Sequence, residues 1–516
     1  MKKTKILLAS AAMVLTLGAF TSCGKKYKPV DDEVLEACKE QLALDQENPV
    51  YGNMYIPQEV DIEGVKVTWK SSKPYVISDT KIGQKEPGVV NRTSTDEEVT
   101  MTAIIEQDGK RSTFDQQVTV AKLEKEIKDE DYKGYLFGHF ISEDGKQVGN
   151  QKVALGEQMY FAFADVDKGL HFKDLSTRNN PILSSTVGER GIRDPFMIRS
   201  PEGDRFFIVA TDLSVYTRGG WGANTNDKFS KTGSDSLTLW ESRDLINWSE
   251  SRSIKVAPDH AGMAWAPEMI WHEESGQYVI LFSSCLVNDA RTEKTEQDAI
   301  YYVTTRDFVH ISEAKLLIDN QKLSECKSCH SKNLNKNPSN YKELVCQDCG
   351  AKSEIRISLD ASLTRVDDTY YYAIKDGDNN VSGGGILISK TTDLFNKDAW
   401  EKVMHLADTG LKMPDNKTKP SNQNLEGPEW FIYNRNDRED PDSVEIGLMG
   451  DQYMNQGAGY LPFATTNIED KGSWRRLEAG ASKDYSWDSL TKRHGTMIRL
   501  TEEECIRIRT KYNLSY

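Results

Sequence analysis

Five strand-opening phrases that recur between residues 190 and 500 constrain the fold more than any other feature of the chain. A second phrase, as in ESRDLINW and TTRDFVHI, closes a strand in each repeat, and two further strand-like runs lie between opener and closer. Four strands per unit, repeated in tandem, are typical of a β-propeller. We therefore predict an all-β fold with a five-bladed β-propeller. The openers are RDPFMI from Arg193, WAPEMIW from Trp265, LDASLTRV from Leu359, LEGPEWFI from Leu425 and RHGTMIRL from Arg493.

The ring of blades is predicted to close between the two ends of this region. The last opener has no full blade after it, and the runs YLFGHF and MYFAFAD precede the first complete blade without an opener of their own. Pairing the C-terminal strand with these runs would complete the fifth blade and remove an exposed edge. We expect residues 493–500 to pair beside the strands of residues 133–165.

The segment before the propeller has a different pattern. Runs such as VKVTWKSS and VTMTAIIEQDG alternate with a period of two residues and have turn signals between them, which predicts a β-sandwich over residues 33–125. These runs resemble the immunoglobulin-like modules that precede secreted bacterial carbohydrate-active enzymes. A charged linker at 126–132 then leads into a propeller predicted over 133–516.

The N-terminus has the pattern of a targeting segment. Three lysines precede an apolar stretch that is too short for a membrane-spanning helix. The sequence TSCG around Cys23 resembles a bacterial lipoprotein signal, which implies a signal peptide at 1–22, a tether at 23–32 and a lipid on Cys23. The resemblance implies an exported lipoprotein, periplasmic or at the cell surface, that is anchored to the outer membrane and contacts it only through that lipid.

The charge of the chain excludes one class of partner. The net charge is -15 at pH 7, and no run of lysines occurs beyond the N-terminus. Because nucleic-acid phosphates are bound by a basic face, we expect no nucleic-acid partner.

The openers also carry the candidate chemistry. In a propeller the innermost strands of all blades surround one axis, so residues at their starts converge whatever their separation in sequence. Carboxylates crowded in a partly desolvated funnel differ in pKa, so that one can hold a proton while another is ionised. Glycoside hydrolysis needs such an acid and base pair. The acidic residues at the openers are Asp194, Glu268, Asp360, Glu426 and Glu429.

The ordered set RDPFMI, WAPEMIW, LDASLTRV and LEGPEW resembles the motifs of glycoside hydrolase family 43. The resemblance covers about residues 133–510 and implies a five-bladed propeller that hydrolyses glycosides with inversion. It implies that Asp194 is the general base and Glu426 the general acid, with Asp360 orienting that acid and favouring its protonated form. One departure is Ala361, which stands where the family has proline after the second aspartate.

Five further opener residues are candidates for binding substrate. Trp265 is suited either to stacking on a sugar or to core packing. Glu268 and Glu429 are suited to binding either sugar hydroxyls or neighbouring backbone. Arg193 stands directly before the predicted base. His494 would ordinarily be a buried histidine, but the resemblance implies an axial histidine near a water or a calcium ion. No cofactor is expected for catalysis.

The predicted activity is an exo-acting, inverting glycoside hydrolase that releases a terminal pentose, foremost an α-L-arabinofuranosidase acting on plant cell-wall polysaccharide or oligosaccharide. A β-xylosidase or a galactan-acting enzyme remains an alternative, because loop shapes around the funnel decide the sugar. A sugar-binding propeller without catalysis is a further alternative, although such a protein would usually have lost one of the three acids. Related fructan-cleaving propellers carry an Asn-Asp-Pro-Asn-Gly opener, which this chain lacks.

A four-cysteine insertion interrupts the propeller at residues 324–352. Cys326 and Cys329 form one C-x2-C pair, and Cys346 and Cys349 form a second, a spacing close to that of a structural zinc ribbon. Export would instead permit disulfides. We favour a structural zinc ion over two disulfides at these four thiols.

Overall fold

The computed structural model describes residues 27–44, 47–123, 125–318, 326, 328–337, 340–354, 358–376, 385–412, 425–453 and 458–514. The predicted signal peptide and Cys23 lie outside these residues. Two compact units are present, one comprising residues up to Glu126 with His272–Gln277 and the other Ile127–Trp271 with Tyr278–Tyr516. In the described part of the chain, no helix is both long and apolar enough to span a membrane.

The first unit is built around an antiparallel three-stranded sheet. Its strands are Lys66–Ser71, Glu97–Gln107 and Lys110–Val120, and the helix Asp32–Gln41 precedes them. Alternate residues of the middle strand are buried, as a period of two requires. Trp69 is 2% exposed, and its indole Nε1 donates to the carbonyl oxygen of Pro57 at 2.6 Å. This tryptophan therefore belongs to the core.

Among the described residues of the second unit, five four-stranded antiparallel sheets follow one another as blades. We number the blades by their inner strands, which begin at the five openers. From inner to outer strand they are blade 1 (Ile192–Arg199, Phe206–Asp212, Ser236–Ser242, Arg252–Lys255), blade 2 (Trp265–His272, Gln277–Val287, Lys294–Thr305, Lys315–Ile318), blade 3 (Ser358–Val366, Thr369–Asp376, Ile386–Thr391, Glu401–His405), blade 4 (Glu426–Ile432, Ile446–Asp451, Tyr460–Thr465, Arg475–Arg476) and blade 5 (Arg493–Thr501, Tyr132–Phe140, Tyr160–Ala164, Lys173–Asp174).

The predicted closure of the ring is confirmed. Arg493–Thr501 pairs with Tyr132–Phe140, with Met497 opposite Phe137. The C-terminal strand of the second unit therefore completes the blade that the N-terminal strands of that unit begin. Middle strands such as Phe206–Asp212 and Tyr460–Thr465 are buried along their whole length. They pack between neighbouring blades on both faces, which explains their nearly continuous apolar sequences.

The inner strands share a β-bulge at the opener. The register of pairing shifts between Arg193 and Phe196 in blade 1, and at the corresponding residues in blades 3, 4 and 5. A bulge redirects side chains at a strand end and is common beside active sites. In blades 1 to 4 one residue near the start of the inner strand has a left-handed backbone, with φ values of 48° for Asp194, 47° for Ala266, 55° for Asp360 and 52° for Gly427.

The remaining elements lie in the connections within and between the blades and after the last strand. Two-stranded pairs form between Gly145–Val148 and Gln151–Ala154 and between Leu170–His171 and Tyr485–Ser486, and the cysteine insertion forms a small sheet of Leu334–Asn337, Asn340–Cys346 and Lys352–Glu354. The helices are Lys228–Lys231 and Glu502–Lys511, and the single 3-10 turns are Asp129–Asp131, Trp221–Ala223, Thr225–Asp227, Leu406–Thr409, Arg435–Asp437 and Lys471–Ser473.

Candidate active site

Hydroxyl groups connect the opener bulges of neighbouring blades. Thr211 Oγ1 accepts from the Ala266 backbone at 2.7 Å, so its proton points to Asp194 Oδ2, 3.1 Å away. Ser283 Oγ accepts from the Asp360 backbone at 3.0 Å. Tyr460, in blade 4, accepts from Gly495 N at 3.0 Å and donates to the carbonyl oxygen of Gly427 at 2.8 Å. These bonds fix the bulges relative to one another around the axis.

Asp194 is paired with a histidine from the opposite end of the sequence. His494 Nδ1 lies 3.3 Å from Asp194 Oδ1. Burial opposes a charge on His494, but the Asp194 carboxylate raises the pKa of the imidazole to about 9. Burial likewise favours a neutral Asp194, and the bond and charge of His494, with the charge of Arg193, lower the pKa of that carboxyl. At neutral pH the pair is therefore an imidazolium and a carboxylate.

Asp360 accepts a hydrogen bond from the backbone directly after Glu426. Gly427 N, one residue after Glu426, donates to Asp360 Oδ2 at 3.2 Å. A side chain at Gly427 would lie 2.6 Å from the His494 ring, so this glycine lets the ring approach the backbone of blade 4. Asp194 thus contacts His494, the His494 ring lies against Gly427, and Gly427 binds Asp360 and directly follows Glu426, so residues far apart in sequence are brought to one place.

The carboxylates are accompanied by two cations, of which Lys375 lies outside the openers and Arg493 begins the fifth opener. Lys375 Nζ donates to Glu426 Oε2 at 2.6 Å, and Arg493 Nη2 lies 4.0 Å from Glu426 Oε1. Burial lowers the pKa of Lys375, but the Glu426 and Asp360 carboxylates raise it further, so the amine stays charged. The position of Lys375 could have been found from the sequence. In an antiparallel hairpin the end of the second strand lies beside the start of the first, and in blade 3 Lys375 pairs with Leu359 of the opener.

Arg193 is 6% exposed and does not point freely into the funnel. Its Nη1 donates to Glu143 Oε1 at 2.8 Å and Glu157 Oε1 at 3.2 Å, and its guanidinium stacks over Trp221, 5.3 Å from the ring centroid. These contacts hold Arg193 in place beside Asp194, and its predicted contact with the sugar stays a prediction.

Trp221 and Glu143 are site residues that the sequence reasoning missed. Trp221 lies in a 3-10 turn outside the strand pattern and is 41% exposed, and its Nε1 donates to Glu143 Oε1 at 3.2 Å. An exposed indole fixed by a hydrogen bond is suited to stacking on a sugar ring. No repeat or motif marks this residue, because it stands in a connection between two strands of blade 1.

Trp265 takes the core-packing role, one of the two that its sequence left open. Its indole packs with the clusters that contain Phe229, Leu213 and Met263. Its Nε1 is buried and has no hydrogen-bond partner among the described residues. Stacking of Trp265 on a sugar stays a prediction.

Glu268 and Glu429 form a buried pair one step deeper in the ring. They are 3% and 2% exposed, and Glu268 Oε2 accepts from Leu363 N at 2.7 Å. Burial raises the pKa of Glu268 to about 7, and burial together with the Glu268 charge raises that of Glu429 well above its ordinary value. For Glu268 the contact with neighbouring backbone, one of its two predicted roles, is the one that the structure describes. Both carboxyls lie in the interior, where burial favours their protonated forms.

This pair predicts a pH-dependent stability. In the unfolded chain both carboxyls ionise near pH 4.3. In the folded protein burial raises the pKa of Glu268 to about 7 and that of Glu429 well above its ordinary value, so the folded carboxyls hold protons in a pH range where the unfolded ones have lost them. The folded state then binds more protons than the unfolded state, so stability falls as pH rises through this window. Glu429→Gln should remove roughly 1–3 kcal/mol of this loss between pH 5 and 7.5, as measured by urea unfolding. If the variant lost stability with pH as steeply as the wild type does, the raised pKa values of Glu268 and Glu429 would be contradicted.

Metal-ligating side chains gather at the four-cysteine insertion. Among the described residues, Cys326, Cys329, Cys346 and Cys349 are the group of three or more metal-ligating side chains close enough to hold one ion. At the axis, His494, which the resemblance places near a water or a calcium ion, is ion-paired with Asp194. A calcium ion near the axis stays a prediction.

Comparison with known proteins agrees with both units. A family model described as "Probable glycosyl hydrolase domain", related to glycoside hydrolase family 43, matches residues 130–505. A second model, for an atrophied bacterial immunoglobulin domain, matches residues 35–123. An α-L-arabinofuranosidase of Bifidobacterium longum subsp. longum is 29% identical over 303 residues, which cover 52% of this chain and 26% of the relative. The chain thus spans about a quarter of the length of this curated relative.

Solved structures with detectable similarity are distant. A mutant of an α-L-arabinofuranosidase from Fusarium graminearum is 12% identical and aligns over 78% of this chain and 84% of its own, with a TM-score of 0.35. An exo-β-1,3-galactanase from Phanerochaete chrysosporium is 14% identical, with coverages of 58% and 53% and a TM-score of 0.32. The family match spans most of the chain and all three candidate acids. The protein therefore belongs to the family of glycosyl hydrolase domains related to glycoside hydrolase family 43.

Proposed function

We propose that the chain is an exo-acting, inverting glycoside hydrolase that removes terminal α-L-arabinofuranosyl residues from plant polysaccharide or oligosaccharide. The observation that carries the proposal is the joining of Asp194, Asp360 and Glu426 through His494 and Gly427 at the bulges of three blades. The choice of sugar is supported by the name of the Bifidobacterium relative. The lipoprotein signal and outer-membrane anchoring through Cys23 remain part of the proposal.

In this mechanism Asp194 accepts a proton from water as the water oxygen attacks the anomeric carbon. Glu426 gives its proton to the leaving oxygen as the glycosidic C–O bond breaks. Lys375 binds Glu426 Oε2, which leaves Oε1 to carry the transferred proton. Asp360 holds the backbone beside Glu426 through Gly427 N and so orients the acid. Solvent then restores both protonation states.

Trp221 and Trp265 supply surfaces for the sugar. Trp221 presents an exposed ring, and Trp265 is a half-buried ring at the start of the inner strand of blade 2. Aromatic faces are common components of a sugar site.

The proposal is tested with a panel of 4-nitrophenyl glycosides. We expect turnover of the α-L-arabinofuranoside and little release from the β-D-xyloside or β-D-galactoside. A proton NMR time course should show the β-anomer of arabinose first. Release from another glycoside would change the assigned sugar, the α-anomer would contradict inversion, and binding without turnover of any glycoside would favour a sugar-binding propeller.

His494 should set the acidic limit of the reaction. His494→Gln removes the cation beside Asp194, so the pKa of that carboxyl should rise and the acidic limb of kcat/KM should move to higher pH. The attraction itself stabilises the folded protein below pH 6.5 and is lost as pH rises through about 9. His310→Gln, on the outer part of blade 2, is the control and should leave the profile unchanged. An unshifted acidic limb in His494→Gln would contradict the role of Asp194 as base.

A further inference from the structure

The four cysteines of the insertion lie in the arrangement of a tetrahedral metal site. All four Sγ atoms are within 4.8 Å of one another. Cys326 Sγ is 3.5 Å from Cys349 Sγ, and Cys329 Sγ is 3.6 Å from Cys346 Sγ, so each short contact joins the two C-x2-C pairs. Zinc–thiolate bonds of 2.3 Å at tetrahedral angles place sulfur atoms about 3.8 Å apart. The observed separations therefore fit one central ion.

Each C-x2-C pair is a turn of the same design. His330 N donates to the Cys326 carbonyl at 2.8 Å, and Gly350 N donates to the Cys346 carbonyl at 2.8 Å. His330 and Gly350 both have left-handed backbones, with φ values of 56° and 72°. This repeated turn directs both thiols of a pair to one side. The matched geometry of two turns from different parts of the insertion indicates a common ligand.

Backbone and side-chain bonds hold the two turns together. Gln347 N donates to the Asn333 carbonyl at 2.9 Å, and Asp348 accepts from Asn333 Nδ2 at 3.0 Å and from the Ser331 hydroxyl. Ser328 N also donates to Cys326 Sγ at 3.4 Å, which favours the thiolate form that a metal requires.

The insertion has little else to stabilise it. Cys326, Cys346 and Leu344 are the buried residues in its described part. A segment of this size without an apolar core usually needs a metal or disulfides to fold. Disulfides between the close pairs would require sulfur atoms at about 2.05 Å, far shorter than either separation here.

We propose that Cys326, Cys329, Cys346 and Cys349 bind one zinc ion in a closed structural site. Four thiolates complete the tetrahedron, so no position is open for water or substrate. The last strand of the small sheet that carries these cysteines ends at Glu354, and the inner strand of blade 3, which carries Asp360, begins at Ser358.

Metal analysis of the purified full-length chain tests the proposal. We expect about one zinc per chain, released by a mercurial reagent and detected with a chromogenic chelator. The double variant Cys346→Ser with Cys349→Ser should lose at least about nine-tenths of this zinc. Cys285→Ser is the matched control, because Cys285 is a buried, free thiol of blade 2, and it should retain the full amount.

Two measurements on the unaltered chain keep the test independent of variant folding. Cobalt(II) added after zinc removal should give the visible spectrum of a tetrahedral four-thiolate site, and zinc removal should increase hydrogen exchange in 334–354 more than in blade 1. Four cysteines that resist alkylation until reduction, in metal-free protein, would overturn the proposal in favour of disulfides. Bound iron with its visible absorption would overturn the choice of zinc, since iron also accepts four thiolates.

Discussion

Asp194→Asn is expected to lower kcat by about 10³-fold or more on every glycoside that the protein cleaves, because general-base catalysis contributes about 10²–10⁴. Asparagine can still accept from Thr211 but cannot take a proton from water. The loss should be similar for natural linkages and activated aryl glycosides, since both need the nucleophilic water. Initial rates on 4-nitrophenyl and oligosaccharide substrates measure it.

The control for this variant is Asp165→Asn. Asp165 is also buried and ion-paired, with Arg509 at 2.8 Å, but it lies beside the C-terminal helix and away from the axis. We expect this change to lower stability and leave kcat within a few-fold of wild type. Equal losses of activity in both variants would mean that folding, not base catalysis, explains the effect.

Glu426→Ala is expected to separate substrates by their leaving groups. Natural glycosides, whose leaving alkoxide must be protonated, should lose about 10²–10⁴ in kcat. A 4-nitrophenyl glycoside should lose about tenfold or less, because its phenolate leaves with little protonation. Rates on a series of aryl glycosides with increasing leaving-group pKa should show a steeper dependence than in wild type.

Glu445→Ala serves as the matched control in the same blade. Glu445 is 1% exposed and ion-paired with Arg475 at 2.7 Å, at the end of the blade opposite to the bulge. Its removal should affect stability without changing the leaving-group dependence. Equal losses on natural and aryl substrates in Glu426→Ala would contradict its role as the acid.

Much of the architecture could be predicted because it is encoded in local, repeated patterns. The five openers mark inner strands, and the unpaired opener at Arg493 requires the early strand at Tyr132–Phe140 as its partner. The C-x2-C pairs likewise identify their own turns. The candidate acids follow from the same repeats, since residues at equivalent positions of a ring meet at its axis.

The electrostatics of the site could not be predicted from the openers. Lys375 reaches Glu426 from the second strand of blade 3, and Glu143 reaches Arg193 from a connection in blade 5. The predicted ring of carboxylates therefore also contains cations, and each lies beside an acid. Glu268 and Glu429 are acidic opener residues, as Asp194 and Glu426 are. They stand further along their inner strands, however, and their side chains are buried in the interior. A side chain's direction at a bulge depends on the backbone there, which a motif does not specify.

The sequence by itself therefore determined the all-β class, the five-fold repeat, its closure and the residues from which acids and metal ligands are drawn. Only the tertiary structure decided which carboxyls are buried without a cation, so that their pKa values rise, and which cation stands beside the others. Repeats record short-range preferences of strands and turns. The charge state of a buried carboxyl instead depends on neighbours from distant segments, such as His494 at Asp194, that come together only when the ring closes.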